Sequence, residues 1–215
     1  MMEFTKGGYM KYISHLDIMR LFKNAFKIAG IKPVYSQGFN PHPKMSFAQP
    51  LTLGYSSSCE LVEFETDSAM TPSEMSGKMN AVLPDGINVT DCKIYGGGKS
   101  LAAMVFAAAY EITIPVGSGY DRDINELCHC FLSQENIYAV KRHKKTGMEK
   151  ETDIKGKIKE LELSMVDGKI IMNTKLDAGS NSNVSPELLI TSFVEFAGLT
   201  TKRDEINVER IKLFF

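Results

Sequence analysis

Cysteine is scarce in this sequence, with four in 215 residues. That number is too small for a disulfide scaffold, and reduced thiols are the expectation. The four also lack the spaced pairs of a zinc site, so no metal is expected in the chain. Charge of one sign is not in excess either. The formal net charge is −1, which gives no global attraction to nucleic acid or membrane. No apolar run reaches the length of a bilayer, and Met1-Met2-Glu3-Phe4-Thr5-Lys6 lacks the basic and apolar regions of a signal peptide. No membrane association is expected, and the cytoplasm is the expected compartment. Phosphate-loop spacing is missing from Gly96 to Ser100, and no Gly-x-Gly-x-x-Gly follows a strand, which argues against helicase, kinase and dinucleotide chemistry.

What is present is an ordinary globular composition, 43% hydrophobic and 24% charged, enough for one large or two small domains. Its segments follow one order used twice. Phe4 to Ile13 reads as a strand or hairpin arm. Ser14 then caps a helix with Asp17 at the third helical position, and Ile18, Met19, Phe22, Ala25, Phe26 and Ala29 recur at helical spacing up to Gly30, a C-terminal cap. Cys59 to Thr66 is the one clear strand between Gly30 and Thr71. Thr71-Pro72-Ser73-Glu74 is a capping box ahead of Met75, Met79 and Val82, and Ile87 to Tyr95 is a final strand.

Gly96-Gly97-Gly98 marks the boundary between residues 1–96 and residues 97–215. Past it, Tyr110, Ile112, Ile114 and Val116 alternate as a half-buried strand, and Asp121 caps the next helix. Leu161, Leu163 and Met165 lead through the hairpin signal Asp167-Gly168 into Ile170, Met172, Thr174 and Leu176. Ser185-Pro186-Glu187 opens a helix that closes at Gly198, and Ile206 to Phe215 is a terminal strand. Each half can be written β-α-β-β-α-β. The expected fold class is α+β, two tandem ferredoxin-like domains with helices on one face of an antiparallel sheet.

The stretch from Ser14 to Pro50 holds more specific side chains than a connector needs, and its aromatics argue for an ordered surface. His15 stands in the first turn of its helix, where a neutral imidazole is favoured and can act as a base. With His42, Tyr35 and Ser36 folded over it, RNA cleavage through a 2'-hydroxyl is one reading. The other is that His15 only bonds a loop carbonyl. Arg20, Lys23 and Lys27 form a basic stripe that Lys11 and Lys44 extend, or simply a solvated helix face in which Asp17 pairs with Arg20. Phe39 either stacks on a base or anchors its loop to the core.

A second basic feature runs from Lys141 to Lys159, where lysine and arginine outnumber acids eight to three. Its head, Lys141-Arg142-His143-Lys144-Lys145-Thr146-Gly147, reads as a hairpin or loop that binds phosphate, or as a solubilising edge. Within Cys128-His129-Cys130, Cys128 falls on a helical stripe with Ile124, Leu127, Phe131 and Leu132. Neighbours one or two apart on a helix diverge, which splits the three as metal ligands, and Cys128 reads as structural.

The runs Tyr12-Ile13-Ser14-His15-Leu16-Asp17-Ile18-Met19-Arg20, Tyr35-Ser36-Gln37-Gly38-Phe39-Asn40-Pro41-His42-Pro43-Lys44 and Phe47-Ala48-Gln49-Pro50-Leu51-Thr52-Leu53-Gly54 resemble the bacterial radical SAM-linked protein family, a domain of unknown function. The resemblance extends to Ser100-Leu101-Ala102-Ala103, Tyr110, Lys144-Lys145-Thr146-Gly147 and Asp153-Ile154-Lys155, and so covers nearly the whole chain. Gly156 departs from it, where proline is frequent. The resemblance implies a partner: members occur beside or fused to a radical SAM protein that often carries a cobalamin-binding-type domain, near ribonuclease G and ribosomal-protein genes. The iron–sulfur cluster, SAM and cobalamin would belong to that partner, since this chain has no Cys-x-x-x-Cys-x-x-Cys run. At the level of fold, the tandem plan also resembles the repeat-associated RNA-binding proteins of CRISPR systems.

The expected function is a noncatalytic accessory module that binds RNA and presents it to the radical SAM partner. His15, Arg20, Tyr35, Phe39, His42 and Lys44 would form one recognition surface, and Lys141, Arg142, Lys144 and Lys145 would hold backbone phosphates. One alternative is a metal-independent endoribonuclease with His15 as base and His42 or Lys44 stabilising charge. Another is an adaptor whose Gly38-Phe39-Asn40-Pro41 loop docks the radical SAM protein.

Overall fold

In the computed structural model, which describes residues 1–117, 119–142 and 149–215, the first strand, β1 (Met2–Lys6), buries every second side chain, Met2, Phe4 and Lys6. Strand expected as far as Ile13 stops at Lys6. Gly7 donates its N–H to the Gly86 carbonyl at 2.8 Å, and Gly8–Tyr12 winds as a 3-10 turn. Only glycine suits position 86, where φ is +93° and a Cβ would lie 2.6 Å from the Gly7 carbonyl oxygen.

Ser14 Oγ accepts the Asp17 N–H at 3.2 Å and starts α1 (His15–Ile28), which buries Ile18, Phe22, Ala25 and Phe26. Gly30, at φ 71°, ends it, with the Ile31 N–H donating to the Phe26 carbonyl. Then come β2 (Met45–Phe47), β3 (Ser56–Phe64), α2 (Pro72–Asn80) behind the expected Thr71–Glu74 capping box, and β4 (Ile87–Cys92). Every pairing is antiparallel, in the order β4-β1-β3-β2. Both helices pack on one face of the sheet, because Phe22, Phe26, Met75 and Met79 share a core with Phe4, Phe47, Val62, Ile87 and Val89. Phe22 is its hub, with ring centroids 4.7 Å from Phe4, 5.5 Å from Phe47 and 6.2 Å from Phe26.

Ser100 caps a short helix, α3 (Leu101–Met104), and the Leu101 N–H donates to the Glu63 carboxylate at 3.2 Å. The glycine run Gly96–Gly98 thus lies within the first of two compact units, Met1–Val105 and Phe106–Phe214.

The second unit contains β5 (Ala107–Pro115), α4 (Ile124–Ser133), β6 (Tyr138–Arg142), β7 (Glu149–Asp153), β8 (Ile158–Val166), β9 (Lys169–Asp177), α5 (Pro186–Phe196) and β10 (Asn207–Phe214). Asp123, not Asp121, caps α4: its Oδ1 accepts from Asn125 and Glu126, whose N–H groups lie within reach of a side chain just before the first turn. Asp167 and Gly168 both take positive φ, 48° and 69°, and turn β8 into β9. The sheet runs β10-β5-β9-β8, antiparallel throughout, with β6 and β7 forming a separate two-stranded ribbon between α4 and β8. The fold is mixed α+β. If the ribbon and α3 are set aside, each unit has the element order β-α-β-β-α-β and the strand order fourth-first-third-second. Among the described residues, no helix is long and apolar enough to cross a membrane.

Candidate functional site

Residues 33–44 form a lobe beside the end of β3. The Val34 N–H donates to Glu65, the Lys44 N–H to Val34, and the Glu65 N–H to Lys44, while Tyr35 and Pro43 form a bridge. Inside the lobe, the Ser36 N–H donates to the His42 carbonyl at 2.9 Å. The Ser36 hydroxyl accepts the His42 N–H at 3.1 Å and lies 3.0 Å from its Nδ1. Gly38, at φ 126°, turns the tip. These bonds define a projection whose tip residue, Phe39, is fully exposed, with Tyr35 exposed at its base. Of the two readings of Phe39, anchoring to the core is thus removed. Lys44 closes the lobe and pairs with Glu65 at 2.8 Å.

Beside the lobe, Lys44, Ser46, Glu63, Glu65, Tyr95 and Lys99 line a cleft of about 420 Å³. The Tyr95 hydroxyl donates to the Lys99 carbonyl and folds the glycine run over its own ring. Two lysines facing two glutamates leave this cleft without a preferred ligand charge.

His15 has different neighbours from His42. Its ring stands edge-on to Phe47 at 5.3 Å, over a cavity just large enough for one water that Phe4, Ile18, Leu51 and the buried side chains of Lys6 and Glu60 also line. Tyr35, Ser36 and His42 belong to the lobe and not to this cavity. Arg20, Lys23 and Lys27 are exposed along α1, as a solvated face requires. Arg20 pairs with Asp17 at 2.9 Å. The Ser14 hydroxyl, and after it Arg20, hold the Asp17 carboxyl below its ordinary range.

The sequence reading missed Tyr9 and Tyr12. They lie three apart on a 3-10 turn, where such side chains eclipse, and both are exposed, with the Lys11 ammonium 5.1 Å from the Tyr12 ring. The turn buries none of its own residues, yet both ends are fixed: Gly7 bonds Gly86, Lys6 Nζ donates to Ile13, and Gly54 donates to Lys11. Two tyrosines behind a glycine pair, with a lysine between them, were the signal in the sequence.

In the second unit, Lys141 and Arg142 end β6, and Lys144 and Lys145 lie outside the described residues. The register places Lys141 opposite Lys150 and Arg142 opposite Glu149. Cys128 is half-buried, its thiol donating to the Leu161 carbonyl and pushed up in pKa by burial, whereas Cys130 is exposed. Among the described residues, no three His, Cys, Asp or Glu side chains cluster as metal ligands.

A family model described as "Uncharacterized protein conserved in bacteria (DUF2344)" matches residues 1–186. No curated protein matches the sequence. Among solved structures, a chain from the crystal structure of a Cbf5-Nop10-Gar1 complex is similar, at 10% identity and a TM-score of 0.52. The match covers 98% of this chain and 48% of that one, so this chain spans about half the length of the solved chain. At that identity the likeness concerns fold alone.

Proposed function

The chain belongs to the bacterial DUF2344 family, and from that premise we propose that it is a noncatalytic accessory module that binds RNA and presents it to a radical SAM partner. Each unit is read as a ferredoxin-like domain, on the strand order common to both. One observation carries the RNA reading: a lobe clamped by Ser36 and His42 holds Phe39 in water with no packing role. A presented ring of this kind is a platform for an unpaired base, and such stacking contributes about 1–3 kcal/mol per base. Tyr35 at the same lobe, and Tyr9 and Tyr12 on their fixed turn, add aromatic surface in the same unit.

Phosphate contacts would come from lysine. The ribbon register sets Lys141 opposite Lys150, and an RNA phosphate would relieve the juxtaposition of two like charges. Lys144 and Lys145 follow in the sequence and would add to the same positive charge. The radical SAM partner rests on the sequence resemblance, and the iron–sulfur cluster, SAM and cobalamin are its equipment.

Binding of an unstructured RNA oligonucleotide across a salt series tests this function. Replacing Lys141 and Lys150 by alanine removes two phosphate contacts, and the slope of log affinity against log salt falls by about 1.4. An unchanged slope refutes the phosphate role. No binding at low salt removes RNA altogether and leaves the adaptor, with Phe39 docking protein. The endoribonuclease reading draws on one feature, the cavity that joins His15 to buried Lys6 and Glu60. It requires RNA cleavage in EDTA that disappears in His15→Ala.

A further inference from the structure

A second cleft, of about 300 Å³, opens in the second unit between the β6–β7 ribbon and α5. Val140 and Glu151 are register partners, so their side chains share one face of the ribbon, and Tyr138 lies two residues along the same face. Tyr138 is 56% exposed and Val140 46% exposed, on the face that also carries Glu151 and Asp153, while Ile137 and Ala139 take the buried face. Thr191, Glu195 and Phe196 of α5 complete the lining, with buried Phe131, Ile137 and Ala139. The cleft is fixed in place. Ser192 donates its hydroxyl to the Tyr138 carbonyl, and the Ile154 N–H donates to the Ile137 carbonyl at 2.8 Å.

The charges in this cleft have one sign. Glu151 and Glu195 both line it, and among the described side chains, which do not include those of Lys141 and Arg142, neither has an ion-pair partner. Asp153, on the same ribbon, is already occupied, its Oδ1 accepting the N–H groups of Ile137 and Lys155. Two carboxylates exclude a phosphate, so this is not part of an RNA path. A purely apolar ligand would strip water from both without replacing it. A cation with a flat apolar face suits this lining: Tyr138 and Phe196 bring aromatic rings to it, and Glu151 and Glu195 bring acceptors. Guanidinium meets these demands better than ammonium, being planar, weakly hydrated and able to stack and bond two acceptors together.

We propose that the cleft between the β6–β7 ribbon and α5 receives an arginine side chain of a partner protein. The charge complementarity of Glu151 and Glu195, together with the exposed Tyr138 and Val140 beside them, selects this occupant. The site stands apart from the RNA reading, since its acids repel nucleic acid. It gives the second unit a protein-facing cleft beside the β6–β7 ribbon.

Titration of the full chain with acetyl-Gly-Arg-Gly-amide, followed by amide NMR shifts, tests the site. Saturable shifts at Tyr138, Val140, Glu151 and Glu195 are expected. The citrulline peptide, equal in shape but neutral, should bind at least about fivefold more weakly, and free arginine, with its own carboxylate near the acids, more weakly than the amide-capped peptide. Glu151→Gln and Glu195→Gln should each weaken binding about threefold, and about tenfold together, with the melting temperature unchanged because both side chains are exposed. RNA affinity should be retained in the double variant, so failure of one reading leaves the other readable. Equal binding of the citrulline peptide, absence of shifts at millimolar peptide, or unaltered affinity in the double variant overturns the proposal.

Discussion

Phe39 and Phe47 stand eight residues apart and face opposite fates, which makes them a matched pair for mutation. Phe47 is buried in the first unit's core, with ring centroids 5.5 Å from Phe22, 5.9 Å from Phe4 and 5.3 Å from His15. Its replacement by alanine removes a full aromatic side chain and opens a cavity, costing about 3–5 kcal/mol. For a chain of this length that lowers the melting temperature by at least about 6 °C. Phe39 is fully exposed, so Phe39→Ala should change stability by no more than about 0.5 kcal/mol. Its effect falls on binding. Loss of one stacked base, taken at about 1–2 kcal/mol, raises the dissociation constant for unstructured RNA about 5- to 30-fold. Thermal melts and fluorescence anisotropy on the two variants read both quantities. A stable Phe39→Ala protein with unchanged RNA affinity refutes the stacking role. A large loss of stability in that variant refutes the exposed lobe itself.

Two glycines make opposite predictions. Gly86→Ala forces a Cβ against the Gly7 carbonyl at positive φ and should destabilise by about 2–4 kcal/mol, whereas Gly77→Ala, in the open middle of α2, should stabilise by about 0.5–1 kcal/mol; denaturant titration reads the sign of each. Acid should weaken the helix starts. The Glu74 carboxyl is held low by the Thr71 main-chain N–H and hydroxyl, and Asp17 by Ser14 and then Arg20, so their stabilisation is complete above the ordinary carboxylate range and is lost as pH falls through the lowered values. Glu74→Gln should therefore flatten the acid limb of melting temperature against pH, and an unchanged limb would contradict the role of the cap.

Local signals placed the elements that are closed by neighbours in the chain. Ser14, Thr71 and Ser185 accept N–H groups two or three residues ahead, and Asp167-Gly168 sets its turn with its own backbone angles. Elements set by distant partners escaped. Strand β2 is three residues long, too short for any period, and exists because Ser46 meets Glu63. The glycine run resembled a linker, but the bond from Leu101 to Glu63 keeps it within the first unit.

The candidate sites divide along the same line. Alternation, capping and turn chemistry act over a few residues, so the sequence alone determined the α+β class, most helix starts and the unusual content of the stretch from Ser14 to Pro50. Tertiary structure alone decided that His42 clamps a lobe with Ser36 while His15 leans on Phe47, and that Tyr9 and Tyr12 are presented on a fixed turn. It also brought Glu151 and Glu195 to one cleft across 44 residues of chain. Burial and strand register act between segments far apart in sequence, and only the folded chain brings those segments together.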